Sequence, residues 1–491
     1  MRIALASGDG IGPEIMDATL ELFKAGGVLQ HVEFVPAKMG RDVFAQGNTR
    51  GMTDDAIRTV EECGILFKGP METPKGGGGK SINVTARKMW SAFANIRHFR
   101  SLPGVAAPGC QSGTHLNFTI VRENIEDTYG GIEHRLSDDT VQCKRLITAP
   151  GSDEVHRFAF RTAAQMGLTR VHCGHKANIM KMTDGLFLER FRAAAADHPS
   201  IEAADVIVDA LCMNLVMKPQ QYQMVVLPNL QGDIVSDLAA GLVGGLGFAP
   251  SANIGRNISI FEAVHGTAPD IAGKGIANPT ALILSGFMML RHIGLQKQAA
   301  IMENALLAAL ESGVHTGDFG GRQTAPVGTR EFVAAIIAHL GKQPATMAPA
   351  RTDGTDRVTL GARTRPTAQE TISTFRNLKK EIVGCDLYLD AVGNSAQLAA
   401  MLQKLAEGSP FELTMISNRG TQVWPTGSLY TECVDYWRAR FQLRKGMDPA
   451  TINQSQTVAL MDRVAEHATV CSYELLRTFD GTPGFSLAQG Q

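Results

Sequence analysis

The chain has 491 residues, too many for one ordinary domain, so we expect two or three domains. A hydrophobic fraction of 44% with 19% charged residues supplies a normal core, and the formal net charge of -1 argues against nucleic acid or an anionic membrane as the main partner. Eight scattered cysteines without a C-x-x-C pair, no signal- or transit-peptide pattern at the N-terminus and no apolar run near the ~20 residues of a membrane span together predict a soluble, cytoplasmic protein.

Strands and helices alternate through the first 340 residues. Short apolar runs predict strands at Arg2–Ala6, Gly64–Phe67, Asn117–Arg122, Arg170–Cys173, Asp205–Val208 and Met224–Leu227. Longer amphipathic or apolar stretches predict helices at Pro13–Ala25, Asp153–Met166, Asp184–Ala194, Thr280–Ile293 and Leu295–Glu311. This alternation is typical of an α/β chain with substantial parallel sheet.

The composition changes near residue 343. Residues 343–366 are rich in Pro, Thr, Ala and charge and predict a linker, after which residues 367–491 form a separate, small α+β domain. Its pattern predicts a βαβ-like unit, then two further helices; the predicted elements are strand Ile382–Leu389, helix Ala396–Ala406, strand Phe411–Ile416, helix Tyr430–Arg444 and helix Ser455–Arg477.

The glycine-rich run ending in Lys80-Ser81 has two interpretations. A phosphate loop needs a glycine five residues before the last one, where this chain has Pro74, which has no N–H to donate. The turn Gly8–Pro13 likewise lacks the third glycine of a dinucleotide fingerprint. What remains is a pocket for a small polyanion, formed by Ser81, Asn83 and Arg87.

Further charged residues extend this pattern. Arg97 and Arg122 could join Arg87 in binding carboxylates, although each alone is more often a solvated surface charge. Asp233 and Asp237 are four apart and would share one face of a helix, and Asp209 ends an apolar run; such carboxylates suit Mg²⁺ or Mn²⁺ or, alternatively, form a solvated face.

Five ordered blocks give the chain a specific resemblance. They are GDGIGPE at Gly8–Glu14, RENIEDTYG at Arg122–Gly130, HKANIMK at His175–Lys181, NLQGDIVSD at Asn229–Asp237 and HGTAPDIAG at His265–Gly273. Residues 1–340 therefore resemble the β-decarboxylating dehydrogenases, the isocitrate/isopropylmalate dehydrogenase family. The resemblance implies that family's α/β fold, which is not a Rossmann fold. A large domain at 1–100 and 245–342 would join a small domain at 101–244, with a dimer clasp at about 127–170.

The resemblance also implies a substrate. Isopropylmalate enzymes carry a leucine-rich segment where isocitrate enzymes carry S-x-N-x-x-x-R, and this chain has Ser81, Asn83 and Arg87 in that pattern. A short polar pair can hydrogen-bond the third carboxylate that only isocitrate brings. We therefore expect isocitrate as substrate, clamped by Arg87, Arg97 and Arg122, and a place in the tricarboxylic acid cycle.

Metal, proton-transfer and cofactor roles follow from the same resemblance. Asp209, Asp233 and Asp237 would hold Mg²⁺ or Mn²⁺, Lys176 would assist removal of the C2 hydroxyl proton, and Tyr129 would protonate the carbon after CO₂ is lost. In this family the equivalents of Lys176 and Asp209 reach into the partner's site, which implies a homodimer. The implied cofactor-binding residues are Thr73, Glu262, His265, Gly266, Thr267, Ala268, Asp270, Ile271 and Asn278.

The cofactor prediction rests on two positions. NADP-dependent members of the family typically place Lys-Tyr where this chain has Asp270-Ile271, and a carboxylate repels the 2′-phosphate of NADP but accepts hydrogen bonds from a ribose diol. We therefore expect NAD. Two alternatives remain: a dehydrogenase for homoisocitrate or another 2-hydroxy diacid, and a non-catalytic regulatory subunit. The C-terminal domain resembles the extra domain of longer bacterial isocitrate dehydrogenases, and we expect it to pack on a neighbouring subunit.

Overall fold

The fold is that of a computed structural model, which describes residues 1–72, 81–107, 115–320, 324–351, 378–427 and 430–487. Thr73, the glycines before Lys80 and most of the predicted linker lie outside these residues. The strands are β1 (Arg2–Ala6), β2 (Glu33–Pro36), β3 (Ile65–Lys68), β4 (Ala94–Arg100), β5 (Asn117–Glu123), β6 (Glu133–Arg135), β7 (Val141–Cys143), β8 (Arg170–His175), β9 (Glu202–Ile207), β10 (Met224–Leu227), β11 (Pro250–Ile254), β12 (Ser259–Ala263), β13 (Lys380–Asp390), β14 (Phe411–Asn418), β15 (Thr421–Trp424), β16 (Tyr436–Leu443), β17 (Thr469–Phe479) and β18 (Thr482–Pro483).

The helices occupy the stretches between these strands. They are α1 (Gly12–Ala25), α2 (Arg41–Ala45), α3 (Asp54–Cys63), α4 (Ile82–Met89), α5 (Ala149–Gln165), α6 (Thr183–Ala196), α7 (Val208–Met217), α8 (Asn229–Leu242), α9 (Thr280–His292), α10 (Gln296–Glu311), α11 (Thr329–Ala338), α12 (Ser395–Leu405) and α13 (Gln454–Ala465). No helix in the described part of the chain is long and apolar enough to cross a membrane.

The chain divides into two compact units. The first comprises Met1–Gly130 and Arg145–Ile372, and the second comprises Gly131–Lys144 and Ser373–Gln491. The hairpin β6–β7 thus belongs with the C-terminal residues, where Lys144 Nζ lies 3.0 Å from Glu474 Oε1 and Ser137 Oγ donates to Asp435 Oδ1 at 2.7 Å. The division into large and small domains with a clasp stays a prediction.

The first unit is built on one mixed sheet of ten strands, in the order β2-β1-β3-β12-β11-β4-β5-β10-β8-β9. Both ends of the sheet are parallel, as the alternating pattern predicts, whereas β12, β11, β4 and β5 pair antiparallel in its centre. The predicted bounds of β1 and β10 are confirmed, because the apolar runs Ile3–Ala6 and Met224–Leu227 mark strands that are covered on both faces. The α/β class is confirmed, and the mixed order is not that of a Rossmann sheet.

The second unit has an antiparallel sheet in the order β15-β14-β16-β13-β17-β18, so the α+β prediction is confirmed. Strands β13 and β14 are not neighbours, because β16 lies between them and pairs with both. Helices α12 and α13 contribute Leu398, Leu402, Leu460 and Val464 to its core. The βαβ-like unit is therefore a split one, whose gap is filled by a strand from later in the chain.

Two helix predictions in this unit are wrong. Tyr430–Arg444 contains the strand β16, in which every second residue, Trp437, Ala439 and Phe441, belongs to the apolar core, a period of two that fits a strand. Ser455–Arg477 contains α13 but then turns into β17, whose edge pairing with β13 outweighs its helical pattern.

Candidate active site

The glycine turn after β1 contacts the predicted cofactor loop, His265–Gly273. Gly10 has a φ of +60°, and a Cβ there would come within 2.1 Å of the Thr267 carbonyl oxygen, so only glycine fits. Ile11 donates its N–H to the same oxygen at 2.9 Å. Glu14, to which the sequence analysis assigned no role, accepts from the N–H groups of Gly275 and Ala277 at 3.1 and 3.0 Å. The first and last sequence blocks thus form one structural unit.

The predicted cofactor-binding residues from His265 to Ile271 lie in the loop that follows β12, and Asn278 lies shortly before α9. His265 shares a 3.0 Å contact with the Gly266 carbonyl oxygen, its Nε2 is buried without a partner among the described residues, and burial lowers the pKa of its imidazole. Asp270 is exposed in a short 3₁₀ turn, and Ile271 ends it. Asn278 is buried and donates to Asp318 Oδ2 at 3.0 Å. Ala268 begins the turn with a φ of +39°.

Two buried arginines share one face of the central strands. Arg97 on β4 is 3% exposed and Arg122 on β5 is 1% exposed. Arg97 Nη1 donates to Ser236 Oγ at 2.5 Å. Arg122 Nε and Nη2 both donate to Asn229 Oδ1, at 2.9 and 2.7 Å. Burial and the neighbouring charge of Arg122 lower the pKa of Arg97 to about 10, so Arg97 stays cationic at neutral pH. These are fixed, orientated charges, as a carboxylate clamp requires.

Helix α8 brings the acidic groups to this clamp. A Cβ at Gly232 would lie 2.7 Å from Arg122 Cγ, so this glycine lets the helix approach the arginine stem closely. Asp233 forms an ion pair with Arg122 and lies 3.5 Å from Arg97, while Asp237 lies 3.7 Å from Arg97. The predicted shared helical face of Asp233 and Asp237 is confirmed.

Tyr129 joins the same cluster. Its phenol donates to Asp233 Oδ2 at 2.5 Å, and the guanidinium of Arg122 lies 4.7 Å from the centre of its ring. Burial and the bond to Asp233 raise the pKa of Tyr129 above its usual value, so the phenol keeps its proton at neutral pH. A group in this state is suited to deliver a proton.

Helix α4 contributes the substrate-selecting residues. Ser81 immediately precedes the helix, and Asn83 and Arg87 are four residues apart on one face of it. Arg87 Nη2 donates to Glu262 Oε1 at 3.0 Å, but its Nε and the Asn83 Oδ1 are buried without a hydrogen-bond partner among the described residues. Buried polar atoms are rarely left unpaired, so Arg87 Nε is available to donate to an anionic ligand, whereas Asn83 Oδ1 can only accept.

Glu262, one of the predicted cofactor-binding residues, is the centre of a buried charge triad. It pairs with Arg87 and with Lys68, and it accepts from Asn253 Nδ2 at 2.7 Å. Burial alone would raise its pKa, but the charges of Lys68 and Arg87 hold the pKa of Glu262 well below its usual range. The sequence analysis missed Lys68, although a lysine that ends the apolar strand β3 is a recognisable signal, because buried lysines are almost always paired.

Lys176 and Asp209 form a separate pair. Lys176 Nζ lies 2.7 Å from Asp209 Oδ1, at the C-terminal ends of β8 and β9, and neither residue contacts the cluster around Asp233 by any hydrogen bond or ion pair found among the described residues. Among all the residues that the structure describes, no group of three Asp, Glu, His or Cys side chains is placed so that it could hold a metal ion. One chain therefore brings together two of the three predicted metal ligands and leaves the third beside Lys176.

Glu123 gives this region a testable pH dependence. It is 3% exposed, and burial raises its pKa to about 7 although it accepts backbone N–H groups from Ile125 and Glu126. Because an unfolded glutamate titrates near ~4.3, the folded state holds the extra proton between these values. The free energy of unfolding therefore falls as the pH rises from about 4.3 to 7, by up to about 3–4 kcal/mol.

We expect Glu123→Gln to flatten the curve of Tm against pH over this range, as measured by scanning calorimetry. Gln keeps an acceptor oxygen for the two N–H groups but does not titrate. The exposed Glu61 on α3 supplies the control variant Glu61→Gln, which should leave the curve unchanged. Equal curves for Glu123→Gln and the parent protein would contradict the assignment.

Comparison with known proteins agrees with this architecture. The family model described as isocitrate/isopropylmalate dehydrogenase matches residues 2–336, and the one described as bacterial isocitrate dehydrogenase, C-terminal domain, matches residues 380–491. An isocitrate dehydrogenase (NADP) of Thermus thermophilus is 41% identical over 490 residues, covering 100% of this chain and 96% of the relative. A mitochondrial regulatory subunit of isocitrate dehydrogenase (NAD) from Dictyostelium discoideum is 45% identical over 343 residues, covering 70% of this chain and 93% of the relative.

The solved structures extend the likeness to the whole fold. A crystal structure of a Thermus thermophilus protein superposes with a TM-score of 0.90 at 40% identity, covering 100% of this chain and 96% of that one. The α/β unit with the mixed sheet and the antiparallel C-terminal unit are thus both shared with a solved relative. The chain belongs to the isocitrate/isopropylmalate dehydrogenase family.

Proposed function

We propose that the chain catalyses the oxidative decarboxylation of isocitrate to 2-oxoglutarate and CO₂, with reduction of NAD and dependence on Mg²⁺ or Mn²⁺. One observation carries the choice of substrate: the buried Arg87 Nε, which has no hydrogen-bond partner among the described residues. The third carboxylate of isocitrate can accept from Arg87 Nε and from the side-chain N–H group of Asn83, whereas an isopropyl group would leave the Arg87 donor unpaired. A site built for hydrogen bonds discriminates strongly against an apolar analogue.

The residues present assign the proton-transfer steps. Arg97 and Arg122 bind and orient the carboxylates of the substrate next to Asp233. Lys176 Nζ relays the C2 hydroxyl proton, and Asp209 stabilises the ammonium charge from 2.7 Å away. Tyr129 delivers a proton to the carbon from which CO₂ has left. A bound divalent cation would polarise the substrate oxygens, and the nicotinamide ring would accept the hydride.

The separation of Asp209 from Asp233 favours a homodimer with shared sites. Each chain would place its Lys176 and Asp209 at the site that its partner forms with Tyr129, Asp233 and Asp237, which completes the metal ligands. An apolar surface accompanies both halves: Met213, Val216 and Met217 lie on the same face of α7 as Asp209, and on α8 Leu230 and Ile234 are also exposed. An exposed apolar surface of this kind is suited to a second copy of the chain.

The choice of NAD rests on Asp270, whose carboxylate is exposed on the cofactor loop. The names of the relatives do not favour this choice: those from Thermus and Rickettsia, which match the whole chain, have NADP, whereas the Dictyostelium relative, which matches 70% of the chain, has NAD. We expect kcat/KM to be at least about tenfold higher with NAD, a difference of ~1.4 kcal/mol. Asp270→Lys with Ile271→Tyr should move the preference toward NADP by a similar factor. A parent enzyme equally active with NADP would overturn the NAD proposal.

The substrate is tested by initial rates with isocitrate, isopropylmalate and homoisocitrate, with and without Mg²⁺. The proposal requires that isocitrate is the only one of the three acids that is turned over. A chelator should abolish this activity, and added Mg²⁺ should restore it. Turnover of homoisocitrate instead would favour the first alternative. A chain that binds isocitrate but turns over none of these acids would favour the regulatory alternative, against which the retention of Tyr129, Lys176 and the three aspartates argues. We also propose a cytoplasmic location, and the role of the C-terminal domain in assembly stays a prediction.

A further inference from the structure

A buried charge cluster links the two groups of site residues that one chain provides, Tyr129 with Asp233 and Lys176 with Asp209. Its members are Asp127 and Asp184, whose side chains are both 0% exposed, and Arg145, which bonds to each. Arg145 Nε donates to Asp127 Oδ1 at 2.5 Å, and Nη1 donates to Asp184 Oδ1 and, at 3.3 Å, to Thr183 Oγ1. The planar guanidinium thus bridges two carboxylates that are distant in sequence.

Asp127 holds the half of the site that contains Tyr129 and Asp233. Its carboxylate accepts the N–H of Thr128 at 2.8 Å, next to Tyr129, and the N–H of Leu230 at 3.0 Å, in the first turn of α8. A carboxylate at a helix N-terminus is stabilised by the helix dipole. Asp127 also has a φ of +67°, which a non-glycine residue adopts only where its surroundings hold it.

Asp184 holds the other half. Its Oδ2 accepts the N–H of Lys176 at 2.6 Å and the side-chain amide of Gln231, again on α8, at 3.0 Å. The loop that carries Lys176 is therefore attached to the same carboxylate that Arg145 binds. None of these three charged residues was singled out by the sequence analysis.

We propose that Arg145 is a positioning residue that couples the two active sites of the dimer. This proposal rests on the proposed function, because in that dimer Tyr129 and Asp233 belong to the chain's own site while Lys176 belongs to the partner's site. Through Asp127, Arg145 positions Tyr129 and Asp233, and through Asp184 it positions Lys176. One guanidinium in each chain thus sets the geometry of both sites, and a displacement of about 1 Å at either end costs rate without removing any reacting group.

The variant Arg145→Lys tests this role, because lysine keeps the charge but cannot bridge two carboxylates with a planar fork. We expect kcat to fall at least about tenfold with KM changed less than about threefold. A matched control is Arg190→Lys, since Arg190 binds Asp153 bidentately at 2.6 and 2.8 Å and is 17% exposed against 16% for Arg145. Within the described part of the chain, Arg190 forms no hydrogen bond or ion pair with a proposed site residue. The control should lose a similar amount of thermal stability and keep its kcat.

Hybrid dimers separate the two ends of the cluster. When one chain carries Lys176→Met and the other Tyr129→Phe, the single intact site takes Tyr129 from the first chain and Lys176 from the second. Arg145→Lys should lower the activity of that site at least about tenfold in either chain. A loss confined to the first chain would overturn the coupling. An inactive parent hybrid would instead refute the shared site, which distinguishes the failure of the two proposals.

A second variant covers the case in which Arg145→Lys does not yield a folded dimer. Asp184→Asn keeps the shape of the side chain and an acceptor for the N–H of Lys176, and it removes one of the two buried negative charges that face Arg145. We expect it to lower kcat more when it is in the chain that supplies Lys176, whose N–H it accepts directly, than in the other chain, where it acts only through Arg145 and Gln231. Equal effects in the two chains, or none in either, would contradict the proposal.

Discussion

A hybrid dimer of two inactive chains, Tyr129→Phe and Lys176→Met, is expected to regain about half of the activity of the parent enzyme. Each substitution alone should lower kcat about 10²–10⁴-fold, because each removes a proton-transfer group. In the hybrid, one site combines both substitutions and the other contains neither. The expectation follows from the structure, in which Lys176 pairs with Asp209 and contacts neither Tyr129 nor Asp233 in the described residues.

The hybrid is isolated by co-expression of the two chains with different affinity tags, and its initial rate is compared with that of each homodimer. In the control, the two differently tagged chains both carry Tyr129→Phe. Their hybrid dimer should stay inactive. A hybrid with no more activity than its parents would show that each site is built within one chain.

Removal of the carboxylate of Glu262 is expected to give the largest loss of stability. This side chain is 5% exposed and neutralises Lys68, which is 1% exposed, together with Arg87. Glu262→Ala leaves a buried ammonium without its counter-ion, and breaking a buried pair in this way costs about 3–5 kcal/mol. The measurement is a denaturant titration of the parent and the variant, in which a spectroscopic probe in the first unit reports the shift of its unfolding midpoint.

Two further variants make this test specific. Glu72→Ala removes a similar ion pair with Arg41, but both side chains are well exposed, at 41% and 67%, so the cost should stay below about 1 kcal/mol. Lys68→Met combined with Glu262→Gln should cost less than the sum of the single changes, because the two residues interact directly. If Glu262→Ala and Glu72→Ala cost the same, the buried triad does not stabilise the fold.

The sequence predicts the parts of the fold that depend on local patterns. Continuous apolar runs mark β1 and β10, and the spacing of Asp233 and Asp237 correctly places both on one helix. The pattern fails at β16, where Arg438 and Arg440 alternate with Trp437, Ala439 and Phe441. The two arginines bind Asp386, and Arg440 is itself buried, which the sequence does not reveal.

The site is predicted in the same uneven way. Residues inside recognisable blocks, such as Tyr129 and Arg122, were assigned before any contact was known. Arg145 lies outside these blocks, and its importance, like that of Asp127 within one of them, comes from burial and from partners far away in the chain, which have no local signature. Lys68 is the exception, because a lysine that ends an apolar strand is a local signal of a buried pair. That three buried charges hold the site together becomes visible only when their partners are placed.

The products formed from isocitrate give the most direct test of the central claim. The purified chain is incubated with isocitrate, NAD and Mg²⁺, and reduced nicotinamide, CO₂ and 2-oxoglutarate are measured in the same sample. We expect the three products in equal amounts and none of them when isopropylmalate replaces isocitrate. Reduction of nicotinamide with isopropylmalate but not with isocitrate would contradict the assignment of Asn83 and Arg87, and with it the proposed function.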